Sequence, residues 1–184
     1  MAGDEELAAA AQQGSASAFD ELVARYQGRL LRFLLVRCDN RADAEDAIQD
    51  TFVNAWKYLH SYDSRWRFST WLYRIALRNA ARQTLVPATV TEETAASDDP
   101  LAACIEQGDR ENLWLTARAT LGRDAYSAMW LRYVEDMPLQ DVASALDRTL
   151  AWTKVSLMRS RQRLKREMQF ENSSAGGSDR HGKA

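Results

Sequence analysis

Apolar residues recur every three to four positions along most of this chain, which is the spacing of amphipathic helices. In the first half the pattern predicts helices over residues 17–37, 42–59 and 68–85, with a loop over 60–67. The apolar stripe of the first helix consists of Phe19, Leu22, Val23, Tyr26, Leu30 and Leu34. The buried side of the second is predicted to be Ala44, Ile48, Phe52, Leu59 and either Ala55 or Trp56. That of the third is predicted to be Trp71, Leu72, Ile75 and Ala76.

The second half carries the pattern of two helices joined by a tight turn. Leu139, Val142, Ala143 and Leu146 fall at helical spacing, a short Asp-Arg-Thr segment follows, and a new helix is predicted to begin near Leu150. This is typical of a helix-turn-helix motif, which lays its second helix in the major groove of DNA. Residues near the N-terminus of that helix then contact the base edges.

The amino-acid composition, together with these predicted helices, indicates the fold class. Apolar residues make up 46% of the 184 positions, and there are three prolines and eight glycines. We expect an all-α protein with two small helical domains, residues 1–86 and 109–170. An acidic linker, 87–108, joins them, and a polar tail, 171–184, is predicted to be disordered. The acidic N-terminus is not that of a signal peptide, and no apolar run is long enough to span a membrane.

The net charge of −2 hides a strong partition along the chain. Residues 65–84 carry five arginines and no acid, whereas residues 87–115 hold seven acids and one base. The arginines are interleaved with Trp66, Phe68, Trp71 and Tyr73. Guanidinium groups neutralise phosphates and flat rings stack on unpaired bases, so this segment is suited to DNA that is being opened.

Spacing assigns these side chains to different tasks. Arg74, Arg78 and Arg82 recur every four residues, so they lie on one helix face and form a track for phosphates. One of the two rings at the loop edge, Trp66 or Phe68, is predicted to contact a base.

A second basic segment lies at residues 154–166, with six bases and no acid. A basic amphipathic helix alone also suits a membrane surface or a calmodulin-type partner. The helix-turn-helix pattern directly before it favours DNA. Because the whole chain is slightly acidic, we expect the free protein to bind DNA weakly and to reach it as part of a larger assembly.

The helix over 42–59 carries acids spaced three and four apart, namely Asp43, Asp46 and Asp50. The simplest interpretation is a solvated face. However, Phe52, Val53, Trp56 and Tyr58 are more apolar than such a face needs. The alternative is a docking face for a basic helical partner, in which acids steer and rings anchor.

Candidate chemistry is sparse. The two cysteines, Cys38 and Cys104, are far apart and are interpreted as buried or half-buried thiols of a reducing cytoplasm. No catalytic or phosphate-binding motif occurs, and the two histidines have no metal-ligand spacing. We therefore predict no enzyme activity, no metal, no cofactor and no small-molecule substrate.

Three segments in this order resemble an extracytoplasmic-function sigma factor, one of the short two-domain members of the sigma-70 class. They are DAEDAIQDTFVNAW, SYDSRWRFSTWLYRIA and TKVSLMRSRQRLK. The resemblance covers about residues 15–86 and 110–168. It implies a region 2 helical bundle followed by a region 4 helix-turn-helix domain, in a cytoplasmic protein that directs RNA polymerase to promoters and melts them.

The resemblance also implies partners and residues. The β′ clamp helices of core RNA polymerase would be bound by Asp43, Asp46, Gln49, Asp50, Val53 and Trp56, and the second domain would meet the β flap. The −10 element, as melted single-stranded DNA, would be held by Ser61, Tyr62, Asp63, Arg65, Trp66, Arg67, Phe68, Trp71, Arg74, Arg78, Asn79 and Arg82. The −35 duplex would be contacted by Thr149, Ala151, Trp152, Lys154, Val155, Ser156, Arg159 and Arg163. Many members are held inactive by an anti-sigma protein, and this sequence permits such a partner without specifying one.

The chain departs from the family pattern at informative places. The family's asparagine after Trp-Leu-Tyr-Arg stands where this chain has Arg78, and Asn79 comes one residue later. The usual Gly-Thr-Val-Lys-Ser-Arg at the recognition helix is replaced over residues 151–156 by Ala-Trp-Thr-Lys-Val-Ser. Promoter sequence, inducing signal and regulator are therefore not predicted.

Two other hypotheses remain at this point. A stand-alone helix-turn-helix regulator would use residues 1–86 for dimerisation and would bind duplex DNA tightly without polymerase. An interaction module that kept the fold but lost promoter function is supported only by the altered segment 151–156.

Overall fold

The structure is a computed structural model and describes residues 2–38, 40–83 and 108–175. This part of the chain forms α-helices, one short 3₁₀ turn and no β-strand, which confirms the all-α prediction. Most of the predicted linker and the end of the predicted tail, like Cys104, lie outside the described residues.

The described residues of the first half, 2–38 and 40–83, form four α-helices. They are α1 (Asp4–Gln12), α2 (Ala16–Arg37), α3 (Arg41–Tyr58) and α4 (Phe68–Gln83), and the 3₁₀ turn Leu59–Ser61 follows α3. The three predicted helices correspond to α2, α3 and α4 within two residues at each end. The helix α1 was not predicted, although Glu6 accepts a hydrogen bond from the Gly3 N–H at 2.9 Å, as in a capping box.

Side-chain caps explain where α2 and α3 begin. The Ser15 hydroxyl accepts a hydrogen bond from the Ala18 N–H at 3.3 Å. The Asn40 side chain accepts one from the Asp43 N–H at 2.8 Å. Such caps satisfy amide groups that have no partner inside the helix. Gly14 takes φ +99° between α1 and α2, which only glycine adopts without strain.

In the second half, residues 108–175 form four α-helices. They are α5 (Gly108–Thr120), α6 (Arg123–Tyr133), α7 (Leu139–Ala145) and α8 (Leu150–Ala175). The helix pair α7 and α8 confirms the predicted helix-turn-helix. The helix α8 continues five residues past the predicted end at residue 170, because no glycine or proline occurs between Leu150 and Gly176. The prediction of a disordered tail is corrected for residues 171–175.

The core of the first half centres on α2. Leu30, Phe33 and Leu34 are fully buried and pack against α3 and α4. On α3, Ala55 is buried and Trp56 is exposed, which decides the alternative that the sequence left open. The small residues Ala47 and Thr51 complete the buried face of α3 and escaped prediction.

The two halves pack directly on each other. The Phe33 ring of α2 lies 6.4 Å from the Trp130 ring of α6, measured between centroids. The helix α7 packs against α4. Polar contacts complete the junction, among them an Arg37–Asp124 ion pair at 2.8 Å. This arrangement places the helix-turn-helix beside the basic helix α4.

Candidate nucleic-acid interface and docking face

The loop between α3 and α4 is held in one shape by its own residues. The Trp66 N–H donates to the Asp63 carbonyl at 3.0 Å and closes a turn. The Arg65 guanidinium donates twice to one Asp63 carboxylate oxygen, at 2.6 and 2.8 Å. These hydrogen bonds lower the pKa of Asp63 and raise that of Arg65. Both side chains therefore stay charged at neutral pH.

A buried tyrosine supports the tip of this loop. The Tyr62 hydroxyl donates to the Trp66 carbonyl at 2.7 Å, and burial raises the pKa of Tyr62 to about 12, so it remains a donor at neutral pH. The side chain of Tyr62 is buried, whereas that of Trp66 is 53% exposed. An exposed tryptophan on a rigid backbone is a ready stacking surface, because little ordering is needed when a base arrives.

Helix α1 also holds the loop, a function that the sequence does not predict. The Gln12 side-chain amide donates to the carbonyls of Leu59 and Tyr62, both at 2.8 Å. The Glu5 carboxylate accepts from the Phe68 N–H at 3.3 Å, at the first residue of α4. Only the capping pattern near Gly3 could have indicated α1, and nothing in the sequence indicates which loop it holds.

Of the two rings predicted as alternatives for base contact, one is buried. Phe68 is 1% exposed and packs edge-on against Tyr26 and Tyr62. Trp71 packs at 5.4 Å from Tyr62 and is half-buried. The structure therefore presents Trp66 to solvent and uses Phe68 in the core.

The arginines of α4 differ in their exposure to solvent. Arg78 and Arg82 are exposed, and Arg74 is half-buried. Arg67, just before the helix, is exposed and donates to the Asp136 carbonyl of the second half at 3.2 Å.

Asn79 lies on the inner side of α4. It is 5% exposed, donates to the Thr51 hydroxyl at 3.3 Å and accepts from the Asn54 amide at 3.2 Å. These bonds tie α4 to α3. In this structure Arg78, rather than its neighbour Asn79, faces outward.

The second candidate surface is the start of α8. The Thr149 hydroxyl accepts from the Trp152 N–H at 3.1 Å and caps this helix. In the turn, Asp147 takes φ +54°, a conformation that aspartate tolerates better than most residues. The Arg148 guanidinium lies 5.5 Å from the centroid of the Trp152 ring, at cation–π distance.

Most predicted residues of this helix are accessible. Exposed side chains belong to Thr149, Ala151, Lys154, Val155, Arg159 and Arg163. Trp152 and Ser156 are half-buried, and they line a shallow groove with Leu121 and Ala125. The face thus combines cations for phosphates with apolar and hydroxyl groups for base edges.

The third surface is the outer face of α3. Asp46, Gln49 and Asp50 are exposed, Asp43 is half-buried, and Val53 and Trp56 expose 64% and 47% of their surface. The Trp56 ring rests against Phe19 at a centroid distance of 4.9 Å. Acids with two exposed apolar side chains one turn further on make a face suited to a basic partner.

Two neighbours of this face do not belong to it. Phe52 is half-buried, and Tyr58 lies two residues after Trp56 and so on another side of the helix. The docking hypothesis therefore rests on Val53 and Trp56 among the four apolar residues considered from the sequence.

Within residues 2–38, 40–83 and 108–175, no group of histidine, cysteine and acidic side chains is arranged to hold a metal ion. None of the helices described is long and apolar enough to cross a bilayer. Cys38 is buried, as the sequence predicts.

The segment that carries two of these surfaces, and most of the rest of the chain, is similar to known proteins. The profile of Sigma-70 region 2 matches residues 22–85, which contain α3, the loop and α4. The chain is 29% identical to the ECF RNA polymerase sigma-E factor of Haemophilus influenzae, over 90% of this chain and 95% of that protein. It is also 29% identical to the RNA polymerase sigma-H factor of Pseudomonas aeruginosa, over 90% and 94%.

A solved structure agrees with this over the whole length. CnrH, in complex with the cytosolic domain of CnrY, is 25% identical and superposes with a TM-score of 0.66, covering 90% of this chain and 97% of CnrH. Helical architecture, the match to region 2 and the helix-turn-helix together define a sigma-type transcription initiation factor. The chain is thus similar to extracytoplasmic-function sigma factors of the sigma-70 family over most of its length, and residues 22–85 match the Sigma-70 region 2 profile.

Proposed function

We propose that this chain is an alternative sigma factor that binds core RNA polymerase, recognises −10 and −35 promoter elements and melts DNA without catalysis of its own. The observation that carries the proposal is the presence of Trp66, exposed on a locked loop, together with exposed arginines on the helix α4 that follows this loop. This pairing supplies both groups that an unpaired DNA strand needs, a ring for stacking and cations for phosphates.

The −10 element is assigned to the loop and to α4. Trp66 stacks on a base, and Arg65, Arg78 and Arg82 neutralise the backbone. The buried residues Tyr62, Phe68 and Asn79 are assigned supporting tasks, since their side chains are occupied inside the protein. The energy for melting comes from stacking and phosphate contacts rather than from nucleotide hydrolysis.

The −35 element is assigned to the start of α8. Its exposed cations hold phosphates, and Trp152, Val155 and Ser156 face the base edges from the N-terminal half of the helix. Because both DNA-binding surfaces are small, we propose that each binds DNA weakly by itself. When polymerase holds both surfaces, binding at one promoter element raises the effective concentration of the other surface at its own element.

The outer face of α3 is assigned to core polymerase, with acids that attract a basic helix and Trp56 as the apolar anchor. In this scheme residues 1–86 form the region 2 domain, 87–108 the linker and 109–170 the region 4 domain. The protein acts in the cytoplasm, where the polymerase is. An anti-sigma protein is proposed as a further partner, supported by the protein complex in which CnrH was solved.

Run-off transcription on genomic promoter fragments, with and without this chain added to purified core polymerase, tests the proposal. A gel shift of the chain alone on the same fragments accompanies it. We expect initiation that depends on the chain and weak duplex binding by the chain alone. Tight duplex binding with no initiation would instead favour the stand-alone regulator.

A further inference from the structure

Three apolar side chains cross the first two turns of the recognition helix α8, each three residues from the next. They are Trp152, Val155 and Met158, and we call them the apolar strip. Trp152 is half-buried, whereas Val155 and Met158 expose 40% and 45% of their surface. Because neighbouring apolar groups are unfavourable in water, the strip indicates a surface that another molecule covers.

The strip faces away from the rest of the protein. The buried side of this part of α8 contains Thr153 and Leu157. Val155 is two residues from each of them, and a turn of about 100° per residue therefore places it on the opposite side of the helix. Met158 follows Val155 by slightly less than one turn and lies on the same outer side. In a helix-turn-helix, this outer side of the second helix enters the major groove.

The first member of the strip is held in place by its neighbours. The Thr149 hydroxyl accepts from the Trp152 N–H at 3.1 Å, and the Arg148 guanidinium lies 5.5 Å from the centroid of the Trp152 ring. That guanidinium also donates to the Asp124 carboxylate at 2.7 Å. Trp152 and Val155 line the same shallow groove. The ring is thus a fixed wall beside Val155, and little ordering is needed when a ligand group arrives there.

Charged side chains lie on both flanks of the strip. Lys154 directly precedes Val155 and Arg159 directly follows Met158, so the helical turn places these two cations on opposite flanks. Both side chains are exposed. The two phosphate backbones that border a major groove would pair with both cations, whereas an apolar protein surface would bury them without partners. Charge complementarity therefore favours duplex DNA as the molecule that covers the strip.

The base edges in the major groove differ in the groups that they present. Thymine presents a C5-methyl group, which apolar side chains contact, whereas guanine is read by arginine or lysine and adenine by asparagine or glutamine. From Trp152 to Met158 the helix rises about 9 Å, which corresponds to about three base pairs. The strip therefore has the chemistry and the length to contact the methyl groups of two or three A·T pairs.

Resting on the proposed function, we infer that Val155 and Met158, backed by Trp152, are specificity-determining residues that read thymine methyl groups in the −35 element. The chain selects −35 elements that have A·T pairs opposite the strip. Lys154 and Arg159 hold the phosphates on either side and fix the position of the helix in the groove.

Deoxyuridine provides the test, because it pairs as thymidine does but lacks the methyl group. The DNA is a promoter fragment on which core polymerase and this chain give run-off transcription, and DNase I protection locates its −35 element. In the test probe deoxyuridine replaces every thymidine of that element. In the control probe it replaces the same number of thymidines in the spacer between the two elements. Competition gel shifts with polymerase that holds the intact chain measure both affinities.

We expect deoxyuridine in the −35 element to weaken binding about threefold to fourfold for each methyl group that is read, and thus about tenfold for two. Deoxyuridine in the spacer should leave the affinity unchanged. This control removes any general effect of the modified base on the duplex.

Variants of the strip assign the effect to its side chains. Val155→Ser and Met158→Gln each remove an apolar surface, so each should lose part of the sensitivity to deoxyuridine, and the double variant should lose it completely. Leu115→Gln is the matched control, because it removes an apolar side chain of the same 40% exposure from α5. It should keep the full sensitivity. Circular dichroism checks that each variant is folded.

Several results would overturn the inference. They are a −35 element without A·T pairs, an equal effect of deoxyuridine in the element and in the spacer, and full sensitivity in the folded double variant. Loss of polymerase binding by the double variant, with no effect of deoxyuridine on the wild-type chain, would instead make the strip a protein-docking surface. Run-off transcription on the unmodified fragment separates these results from failure of the proposed function. Initiation without sensitivity to deoxyuridine removes methyl reading alone, whereas absence of initiation on every fragment removes the sigma function itself.

Discussion

At the scale of single residues, two side chains that are close in sequence can have opposite functions, one in the core and one at the surface. Their burial in the structure distinguishes the two. Trp66 and Phe68 are two residues apart, yet one is exposed and the other is in the core. Arg78 and Asn79 are adjacent, yet Arg78 faces solvent while Asn79 bonds to Thr51 inside the protein. The sequence left the choice between Trp66 and Phe68 open, because the edge of a loop has no fixed helical phase, whereas the four-residue spacing already placed Arg78 on one face with Arg74 and Arg82.

The Arg78 and Asn79 pair gives a direct comparison. Asn79→Ala leaves the buried Thr51 hydroxyl without its donor and is expected to lower the free energy of unfolding by about 1–2 kcal/mol. Arg78→Ala is expected to change it by less than about 0.5 kcal/mol but to weaken binding of single-stranded DNA. Urea unfolding and oligonucleotide binding measure the two effects. The assignment fails if Arg78→Ala is the more destabilising change.

At the scale of helices, the apolar stripes in the sequence predicted α2, α3, α4 and the helix-turn-helix pair. The nine-residue helix α1 was missed because its stability comes from contacts distant in sequence, such as the Arg25–Asp4 ion pair at 2.7 Å. It is nevertheless part of the candidate site, since Gln12 holds the loop that carries Trp66.

The helix α3 contains a matched pair of aromatic residues for testing polymerase binding. Trp56 and Tyr58 are each 47% exposed but lie on different sides. Trp56→Ala is expected to weaken binding to core polymerase by about 30-fold, as loss of an interface anchor does. Tyr58→Ala is expected to change it by less than about threefold. Competition for labelled polymerase measures both affinities, and equal losses would contradict the assignment of this face.

At the scale of the whole molecule, the junction between the halves could not be predicted from sequence. Its contacts join residues that are distant along the chain, and no local sequence pattern marks a side chain such as Glu135 as part of the junction. Asp124 illustrates this, because it accepts from Arg37 of α2 at 2.8 Å and from Arg148 of the recognition turn at 2.7 Å. One carboxylate thus links the first half to the helix-turn-helix.

The ion pairs of Asp124 predict a dependence of stability on pH. Burial alone would raise the pKa of Asp124, but the hydrogen bonds from Arg37 and Arg148 outweigh it, and the pKa is lowered. A carboxyl with a lowered pKa stabilises the folded chain above its unfolded value, near 3.9, and loses this effect as the pH falls through the folded value. Asp124→Asn should therefore be destabilising at about pH 7 and much less so at about pH 3. Urea unfolding at both pH values measures this, and an equal loss at both would contradict it.

The most direct test of the central claim is permanganate footprinting of a promoter fragment with core polymerase, with and without the chain. Unpaired thymines near −10 should become reactive only when the chain is present. The variant Trp66→Ala should reduce this reactivity about tenfold or more while a gel shift still shows the polymerase bound, because stacking on Trp66 is worth about 1–3 kcal/mol. Reactivity that does not depend on the chain, or that is unchanged in Trp66→Ala, would contradict the account.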